Sequence, residues 1–392
     1  MTRATHTGAD EVAALARDAI RGLSLYAGAD SACAVDVSDN TNLWGTPPAA
    51  LAAMRELLAG GAPEVARYPR AYSAGLSTRI LAHLGLDIAG DIGVVTGCGS
   101  DDVLDATMRA FSMPDARIAY SVPTFSMIST FARLNGMEAV EVPLGDDFDV
   151  DVVRLLEARA AITYICAPNN PTGTAVSRDA VERILAAAAG IVLVDEAYAE
   201  FASGTLVDLV ARHPRLLVTR TFSKAFGLAG ARVGYGVGSE ALTGLVAKAR
   251  GPYKVNAVGE CGAVAALGDG AEARGWVSAR VRDAVAMRGY LQDGLLSLGL
   301  HPVRSDANFV FVPLRTAVGV AAHMLKGGVR VRAMSGLDGP SAVRAEGGAG
   351  LRIGVGPVEQ MELVLAALGA ALVFIAQQGV GQGGRREEKG LS

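Results

Sequence analysis

The sequence contains few of the residues that bind metals or form disulfides, with four cysteines and five histidines among 392 residues. The cysteines lie far apart, without a Cys-x-x-Cys pair and without a histidine at the spacing of a zinc ligand. We therefore expect neither a metal site nor a disulfide framework, and we predict reduced, mostly buried thiols. The four cysteines are Cys33, Cys98, Cys166 and Cys261.

Charged residues are also scarce, at 19% of the chain with a net charge of −4. Both signs are dispersed and no basic stripe occurs, which argues against nucleic acid as a partner. Residues 1–20 contain acidic side chains and no apolar stretch, so they do not resemble a secretory leader. The most apolar run, from Leu363 to Ala376, is shorter than the roughly 18–20 residues that span a bilayer. We therefore expect a cytoplasmic protein with no membrane association, in which this run is a core helix.

Apolar residues make up 51% of the sequence, enough to fill a sizeable core. The length suggests two or three domain-sized units, or one large α/β domain with a smaller companion. From residue 90, short β-branched runs alternate with helical stretches, which is typical of a mostly parallel sheet covered on both faces. We predict seven strands in this sheet, from the runs at 92–95, 117–120, 139–143, 161–167, 191–198, 215–220 and 231–238.

The second half of the chain has a different pattern. A long helical region is predicted from residue 256 to 299, broken near Gly268, and the apolar runs beyond it indicate a smaller α+β unit. The last residues contain few apolar side chains and are expected to be disordered. We predict an N-terminal arm and helix that packs on the small domain or on a partner subunit, a large domain, a small domain and a disordered tail, at residues 1–40, 41–255, 256–378 and 379–392.

Four polar motifs fall at the predicted carboxyl ends of strands, where open α/β sheets bind ligands. GCGSDD at 97–102 offers free N–H groups at a helix start to an anion, although Asp101 capping the helix in a glycine-rich turn explains it equally well. APNNPTG at 167–173 aims the amide of Asn170, because the following proline holds that residue extended. A plain turn would also satisfy this string.

The third motif, VDEAYAEF at 194–201, ends an apolar strand with Asp195, a buried carboxylate in need of a cationic partner. A protonated pyridine nitrogen is one such partner. At about 4 Å and an effective dielectric near 20 the attraction is about 4 kcal/mol, which favours the protonated ring by about three orders of magnitude. Tyr198 follows where its phenol can reach the hydroxyl oxygen of the ring. A helix N-cap or an ion pair with an arginine would explain Asp195 as well.

The fourth motif, TRTFSKAFGLAGARVGYG at 219–236, places Lys224 among small residues that let the backbone approach a flat, phosphorylated ligand. An amine in such a pocket can form a Schiff base with an aldehyde cofactor, while Ser223 and Arg232 bind its phosphate. The alternative is an ordinary surface lysine, which the neighbours of Lys224 and two upstream motifs disfavour.

Taken in order, these motifs resemble those of the fold-type-I pyridoxal-phosphate aminotransferases, and most closely those of the histidinol-phosphate aminotransferase family. The resemblance extends from LSLYAG near residue 24 to LRIGVG at 351–356. It implies the fold-type-I α/β architecture, with residues 41–255 as the cofactor-binding domain. It also implies pyridoxal 5′-phosphate (PLP) as the cofactor and a homodimer with shared active sites.

The resemblance implies a role for each matching residue. Lys224 would hold the cofactor covalently and then move the Cα proton of the substrate. Asp195 would pair with the pyridine nitrogen, while Tyr198 and Asn170 would bind the ring oxygen O3′. Phe125 would stack on the ring. The implied phosphate ligands are Gly99, Ser100, Asp101, Ser223 and Arg232, together with Tyr68 reaching across from the other subunit.

Substrate contacts are implied in the same way. Arg352 in LRIGVG matches the arginine that grips the substrate carboxylate at two points. Tyr26 and Arg332 match positions that contact the phosphate of histidinol phosphate, and residues 333–350 are predicted to form part of the pocket rim. The remaining expected contacts are Asn42, Trp44 and Asn308, the last of which would equally serve as a structural amide.

Three functions stay open on the sequence. The first is a ping-pong transaminase that exchanges an amino group between glutamate with 2-oxoglutarate and histidinol phosphate with imidazole acetol phosphate. The second keeps this chemistry for an aromatic, basic or non-proteinogenic amino acid, because DNTNLWG at 39–45 departs from the NENPYGP usual in the family. The third is decarboxylation of an amino acid, as some relatives perform on threonine phosphate.

Overall fold

The computed structural model describes the backbone of residues 7–25, 32–60, 65–87, 90–268 and 271–387. Side chains are described for these residues except 7–10, 271–274 and 379–387. The helices are α1 Thr7–Leu15, α2 Asp18–Arg21, α3 Pro48–Ala59, α4 Ala74–Leu84, α5 Ser100–Phe111, α6 Met127–Leu134, α7 Val152–Glu157, α8 Arg178–Ala187, α9 Glu240–Arg250, α10 Ala257–Ala266, α11 Ala271–Ser297, α12 Ala317–Lys326, α13 Ser341–Ala345 and α14 Val358–Glu387. Short 3₁₀ turns cover Ala199–Phe201, Val207–Ala211 and Ala229–Ala231.

The central element is the predicted seven-stranded sheet. The strands of the molecule are β1 Val35–Asp36, β2 Ile92–Gly97, β3 Arg117–Val122, β4 Glu138–Pro143, β5 Ile162–Cys166, β6 Ile191–Asp195, β7 Leu216–Thr221, β8 Gly234–Ser239, β9 Phe309–Pro313, β10 Val329–Arg330, β11 Arg332–Met334 and β12 Gly350–Gly354. The large sheet has the order β2-β8-β7-β6-β5-β3-β4. Within it, β8 runs antiparallel to β2 and β7, and every other neighbouring pair is parallel. The mostly parallel sheet is thus confirmed.

Two layers of helices bury this sheet. Every residue of β6 is buried, and successive side chains point to opposite faces. Val192 and Val194 pack in a core that includes Ile184 of α8. Ile191 and Leu193 pack in a second core that includes Met108 of α5. A strand covered on both faces reads as a continuous apolar run, which is why its sequence could be recognised.

Two smaller sheets lie in the C-terminal part of the fold. Strands β11, β12 and β9 form an antiparallel sheet, and α12 and α14 pack against each other nearby. The short strand β1 pairs in parallel with β10, through Val35 opposite Val329. These elements form the smaller α+β unit expected from the sequence.

Helix α14 differs from the prediction in length. Its apolar part extends over Val358–Gln378, 21 residues, and is long and apolar enough to cross a membrane by length and composition alone. The predicted run was shorter because it left out residues 358–362 and the two glutamines Gln377 and Gln378, with which the helix continues on either side. Since core helices of soluble proteins pass the same test, the length decides nothing further. One face packs in the large core through Met361, Val364, Leu368 and Ala371.

Two further expectations were wrong. Residues 379–387, predicted as part of a disordered tail, continue α14, because extending an existing helix needs no new nucleation. The last residues, 388–392, lie outside the described part of the chain. The thiols are unpaired as expected but not mostly buried, since Cys98 is exposed and two others are half-buried. Cys98 is exposed because it lies in the turn between β2 and α5 rather than within an element.

Candidate active site

A cavity of about 410 Å³ opens at the carboxyl ends of β5, β6 and β7. This is the edge of a parallel sheet where the strands end and helices begin, so side chains from several loops converge there. Most of the residues singled out from the sequence line it. They are Ser100, Asp101, Phe125, Asn170, Asp195, Tyr198, Ser223, Lys224, Arg232, Arg332 and Arg352.

Lys224 lies just beyond β7 and is half-buried. Its Nζ donates a hydrogen bond to the main-chain oxygen of Asp39 at 2.9 Å and lies 5.8 Å from the centre of the Tyr198 ring. Burial, and after it the positive charge of Arg352, lower the pKa of the Lys224 amine to about 8. A larger fraction of this amine is therefore uncharged, and so nucleophilic, at neutral pH than for an ordinary lysine.

Asp195 ends β6 on the floor of the cavity and is only 4% exposed. Its carboxylate accepts hydrogen bonds from the Tyr164 hydroxyl at 3.1 Å, the Thr219 hydroxyl at 3.2 Å and the main-chain N–H of Ala197 at 3.2 Å. Burial nevertheless raises the pKa of Asp195 to about 6. No salt bridge to Asp195 occurs within the described residues, so the carboxylate can pair with a cation from a bound ligand.

An anion-binding corner lies where α5 begins. The first turn of α5 presents main-chain N–H groups at Ser100, and Arg232 Nη2 lies 3.7 Å from Asp101 Oδ2. Gly99 has a φ of +81°, and a Cβ there would lie 2.6 Å from Arg232 Nη2. A side chain at residue 99 would therefore displace the guanidinium from this corner. Ser223, which is buried, completes the lining.

The opposite side of the cavity is held by hydrogen bonds between distant segments. Arg352 Nη1 donates to Asn170 Oδ1 at 2.6 Å, and its Nη2 donates to the main-chain oxygen of Ser38 at 2.5 Å. The Tyr198 hydroxyl accepts from Asn40 Nδ2 at 3.2 Å. Arg352 thus positions Asn170, and Asn40 positions Tyr198. The sequence motifs did not reveal either contact.

Three of the predicted substrate contacts do not line the cavity. Asn42 donates to the main-chain oxygen of Ala225 at 3.0 Å and accepts from the N–H of Trp44, so it ties its own loop to the segment that follows Lys224. Trp44 packs against the large core. Asn308 donates to the main-chain oxygen of Asn40 at 3.0 Å, which is the structural alternative considered above. These side chains shape the wall of the cavity from behind.

Two predicted residues have other locations. Tyr26 lies outside the described residues. Tyr68 is 83% exposed, lines a separate cavity of about 360 Å³, and stacks on Tyr253 with ring centroids 4.9 Å apart. It does not reach the main cavity of its own chain.

Several residues of the site escaped the sequence reading. Tyr164 and Thr219 hold Asp195, yet each lies inside a strand that reads only as apolar or β-branched. Their signal was a polar group in a fully buried strand, which must find a partner. Asp39 and Asn40 begin the segment DNTNLWG, which was used above only to compare possible substrates. The other lining residues that were missed are Thr124, Ser126, Met127, Cys166, Ala197, Thr221 and Met334.

Comparison with known proteins decides the family. Residues 34–368 match the family model described as aminotransferase class I and II. The chain belongs to this family. The aminotransferase is 36% identical to histidinol-phosphate aminotransferase 2 of Pseudomonas aeruginosa, over 88% of this chain and 91% of the relative. It is also 33% identical to the aromatic amino acid aminotransferase of Rhodococcus opacus, over 85% of this chain and 89% of the relative.

Solved structures share the fold of the aminotransferase. The histidinol-phosphate aminotransferase of Sinorhizobium meliloti in complex with pyridoxal-5′-phosphate has a TM-score of 0.77 at 23% identity, covering 95% of this chain and 99% of that one. The L-threonine-O-3-phosphate decarboxylase of Porphyromonas gingivalis has a TM-score of 0.72 at 21% identity, covering 86% and 99%. Because both reactions occur on one fold, the fold alone does not choose between them.

The enzyme is a PLP-dependent aminotransferase of fold type I, and the cavity fits this cofactor. Asp195 supplies a buried anion without a cationic partner among the described residues, as a charged ring nitrogen requires. Lys224 supplies an amine with a lowered pKa. The start of α5 with Arg232 supplies N–H donors and a positive charge for a phosphate. Each of the three chemical groups of PLP thus has a matching side chain or main-chain group.

Proposed function

We propose that the enzyme transfers an amino group between histidinol phosphate and 2-oxoglutarate by a ping-pong mechanism. The observation that carries this proposal is the pairing of Arg332 with Arg352 on the adjacent strands β11 and β12, both lining the cavity. Two guanidinium groups on one wall suit a phosphate in one half-reaction and two carboxylates in the other. Relatives that carry the name histidinol-phosphate aminotransferase support the same substrate.

The residues of the cavity are assigned roles on this basis. PLP, when bound, supplies an electron sink for the pair of electrons left at the substrate Cα. Lys224 Nζ holds the cofactor and takes the Cα proton, for which a pKa near neutrality suits it. Asp195 keeps the ring nitrogen charged, and Asn170 and Tyr198 orient the ring through its hydroxyl oxygen.

The remaining assignments concern binding. Phe125 stacks on the ring face, and Arg352 binds a substrate anion at two points while Arg332 binds the second anion. We also place Tyr26 beside that second anion, as the family resemblance implies. The phosphate of the cofactor is bound by Gly99, Ser100, Asp101, Ser223 and Arg232, and by Tyr68 of the partner subunit.

We further propose a cytoplasmic homodimer in which each site is completed by the other chain. The exposed Tyr68 supports this, since a tyrosine that serves the site must reach it from outside its own chain. The division into an arm, a large domain and a small domain at residues 40 and 255 belongs to the same proposal.

A half-reaction experiment tests the substrate. The purified holoenzyme is mixed with one amino donor at a time, without an oxo acid, and the cofactor absorbance is followed. Histidinol phosphate should convert the cofactor to its amine form with a kcat/KM at least about tenfold above that of phenylalanine, tyrosine, lysine or threonine phosphate. A higher value for any other donor would contradict the proposed substrate.

Two variants test the carrying observation. Replacing Arg332 by glutamine should raise KM for histidinol phosphate about tenfold to a hundredfold, because a charge-assisted contact to the phosphate is lost. Arg332→Lys keeps the positive charge but lacks the two-pronged donor geometry of a guanidinium. Its KM for histidinol phosphate should therefore lie between those of the wild type and the glutamine variant. An unchanged KM in both variants would contradict the proposal that the paired guanidinium groups bind the substrate phosphate.

An aromatic amino acid as donor is the second candidate, favoured by the relative from Rhodococcus opacus. The same donor panel decides it, because phenylalanine or tyrosine would then give the highest kcat/KM. Decarboxylation is the third candidate, and it would release CO₂ and return the cofactor absorbance to its starting spectrum.

A further inference from the structure

Three aspartates line the cavity, and two of them have evident uses. Asp195 is buried beneath it with three hydrogen bonds, and Asp101 lies beside Arg232. The third, Asp39, has an exposed side chain at the cavity wall. Its carboxylate makes no hydrogen bond or salt bridge to any residue that the structure describes. None of the roles assigned above involves this carboxylate.

The backbone on both sides of Asp39 is firmly held. Ser38 is bound through its main-chain oxygen by Arg352 at 2.5 Å. Asn40 accepts from Asn308 at 3.0 Å through its main-chain oxygen and has a φ of 54°, a left-handed conformation that turns the chain sharply. The carboxylate is therefore presented from a fixed support, which is what a recognition group needs.

A nearby aspartate shows what a structural role looks like in this segment. Asp36 accepts from the N–H and hydroxyl of Ser38 at 3.0 and 2.7 Å and from Arg330 at 2.6 Å. Both carboxylate oxygens of Asp36 are therefore occupied by structural hydrogen bonds. Asp39 lies three residues later on the same strand-and-turn segment and keeps its oxygens available to the cavity.

The charges around the cavity indicate which kind of ligand group Asp39 would bind. Arg332 and Arg352 place positive charge on one wall, so the anionic groups of a substrate are drawn there. Asp39 adds a negative charge that partly offsets the lowering of the Lys224 pKa caused by burial and Arg352. When the two arginines hold the anionic groups of a substrate, its side group is directed toward the Asp39 carboxylate. A carboxylate at this position repels an anionic side group and attracts a cationic one.

We propose that Asp39 binds a positively charged nitrogen in the side group of the amino donor, such as a protonated imidazole or amine, and so selects basic donors over neutral ones. This inference rests on the proposed function, because it assumes that the two arginines bind the anionic groups. It concerns specificity, and Asp39 acts by direct contact with the substrate.

Matched donors test the assignment. Ornithine and norvaline have the same chain length and differ by a terminal amine, and histidinol phosphate and phenylalanine extend the comparison to rings. Replacing Asp39 by asparagine keeps the shape and removes the charge. The kcat/KM for ornithine and histidinol phosphate should fall about tenfold, mainly through KM, while the values for norvaline and phenylalanine should stay within about twofold. Asp293→Asn, on the exposed face of α11, is the control and should change none of them.

Each other outcome overturns the assignment or the proposed function separately. An equal loss for all four donors, no loss for any, or a wild-type enzyme that accepts no basic donor would overturn the role of Asp39. A wild-type enzyme that uses ornithine but not histidinol phosphate, with the ornithine activity lowered in Asp39→Asn, would overturn the proposed substrate and support Asp39. Retention of the bound-cofactor absorbance in Asp39→Asn shows that the variant folds.

Discussion

Asp195 shows how a single residue can oppose stability in the service of binding. Its carboxylate is buried, and its pKa of about 6 lies above the ordinary value of 3.8 because burial disfavours the charged form. Between pH 4 and 6 the folded apo-protein holds a proton that the unfolded chain releases. Stability therefore falls as pH rises through this window, and the difference in pKa corresponds to about 3 kcal/mol above it.

Replacing Asp195 by asparagine should therefore stabilise the apo-protein. At pH 7 the free energy of unfolding should rise by up to about 3 kcal/mol, and the gain should vanish near pH 4. The amide fits because the Tyr164 hydroxyl can turn to accept from it. Urea unfolding of both apo-proteins at several pH values measures the effect. In the holoenzyme the same change should lower kcat by at least about a hundredfold, and a variant that is no more stable than the parent at pH 7 would contradict the electrostatic account.

The residues that could be recognised from the sequence share one property. Asp195 ends a buried strand, and Lys224 and Asn170 lie within four residues of the end of one, so the strand pattern alone places all three at the ligand-binding edge of the sheet. Asn42 and Trp44 also lie in a polar loop, but Asn42 bonds to main-chain groups of Trp44 and of the distant Ala225, and Trp44 packs on the core. Whether a loop residue faces the cavity or its own backbone depends on contacts with distant segments, which a local pattern does not contain.

At the scale of elements, a buried ion cluster joins β6 and β7 below the cavity. Arg220 on β7 donates to Glu196 through Nε at 3.0 Å and through Nη2 at 2.8 Å. Glu196 also accepts from the main-chain N–H of Leu206 and the hydroxyl of Thr205. Glu200 lies 3.5 Å from the same guanidinium, and burial raises its pKa. One guanidinium thus compensates two buried carboxylates directly after Asp195.

Arg220→Met should strongly destabilise the protein. It leaves two carboxylates buried without a cation, and breaking a buried pair in this way costs about 3–5 kcal/mol. The matched control is Arg178→Met. Arg178 pairs with Asp208 at the surface, where the two side chains are 43% and 54% exposed, and exposed pairs contribute about 0–1 kcal/mol. Urea unfolding of the two apo-proteins should show a much larger loss in the free energy of unfolding for Arg220→Met. Equal losses would show that the buried ion cluster stabilises the protein no more than a surface ion pair.

Elements buried on both faces were the ones the sequence predicted well. The strands β5 and β6 read as short apolar runs because both faces are covered. Helix α14 was predicted poorly at both ends, since its composition changes from apolar to glycine-rich and charged while the helix continues to Glu387. Composition reports burial more directly than it reports where a helix ends.

The whole molecule is proposed to be a dimer in which Tyr68 serves the site of the other chain. Its 83% exposure and its place at the edge of a separate cavity leave most of the side chain available for contact with another chain. The strand pattern could not predict this arrangement, because it depends on a surface that only the assembly completes; the family resemblance alone implied it.

Hybrid dimers test this arrangement. Chains carrying Lys224→Ala and chains carrying Tyr68→Ala are given different affinity tags, co-expressed, and purified through both tags. Each hybrid then has one intact site and one doubly altered site, so its activity should be about half that of the wild-type dimer. Each variant alone should be nearly inactive. Hybrids no more active than the parent variants, or a monomer in solution, would contradict shared sites.

The account depends most directly on which amine holds the cofactor. Borohydride treatment of the holoenzyme fixes PLP to the amine that binds it, and peptide mapping by mass spectrometry then locates the modified residue. We predict modification of Lys224 alone, at one cofactor per chain, and none in the Lys224→Ala variant. Modification of a different lysine, or no covalent attachment in an active wild-type enzyme, would contradict the account.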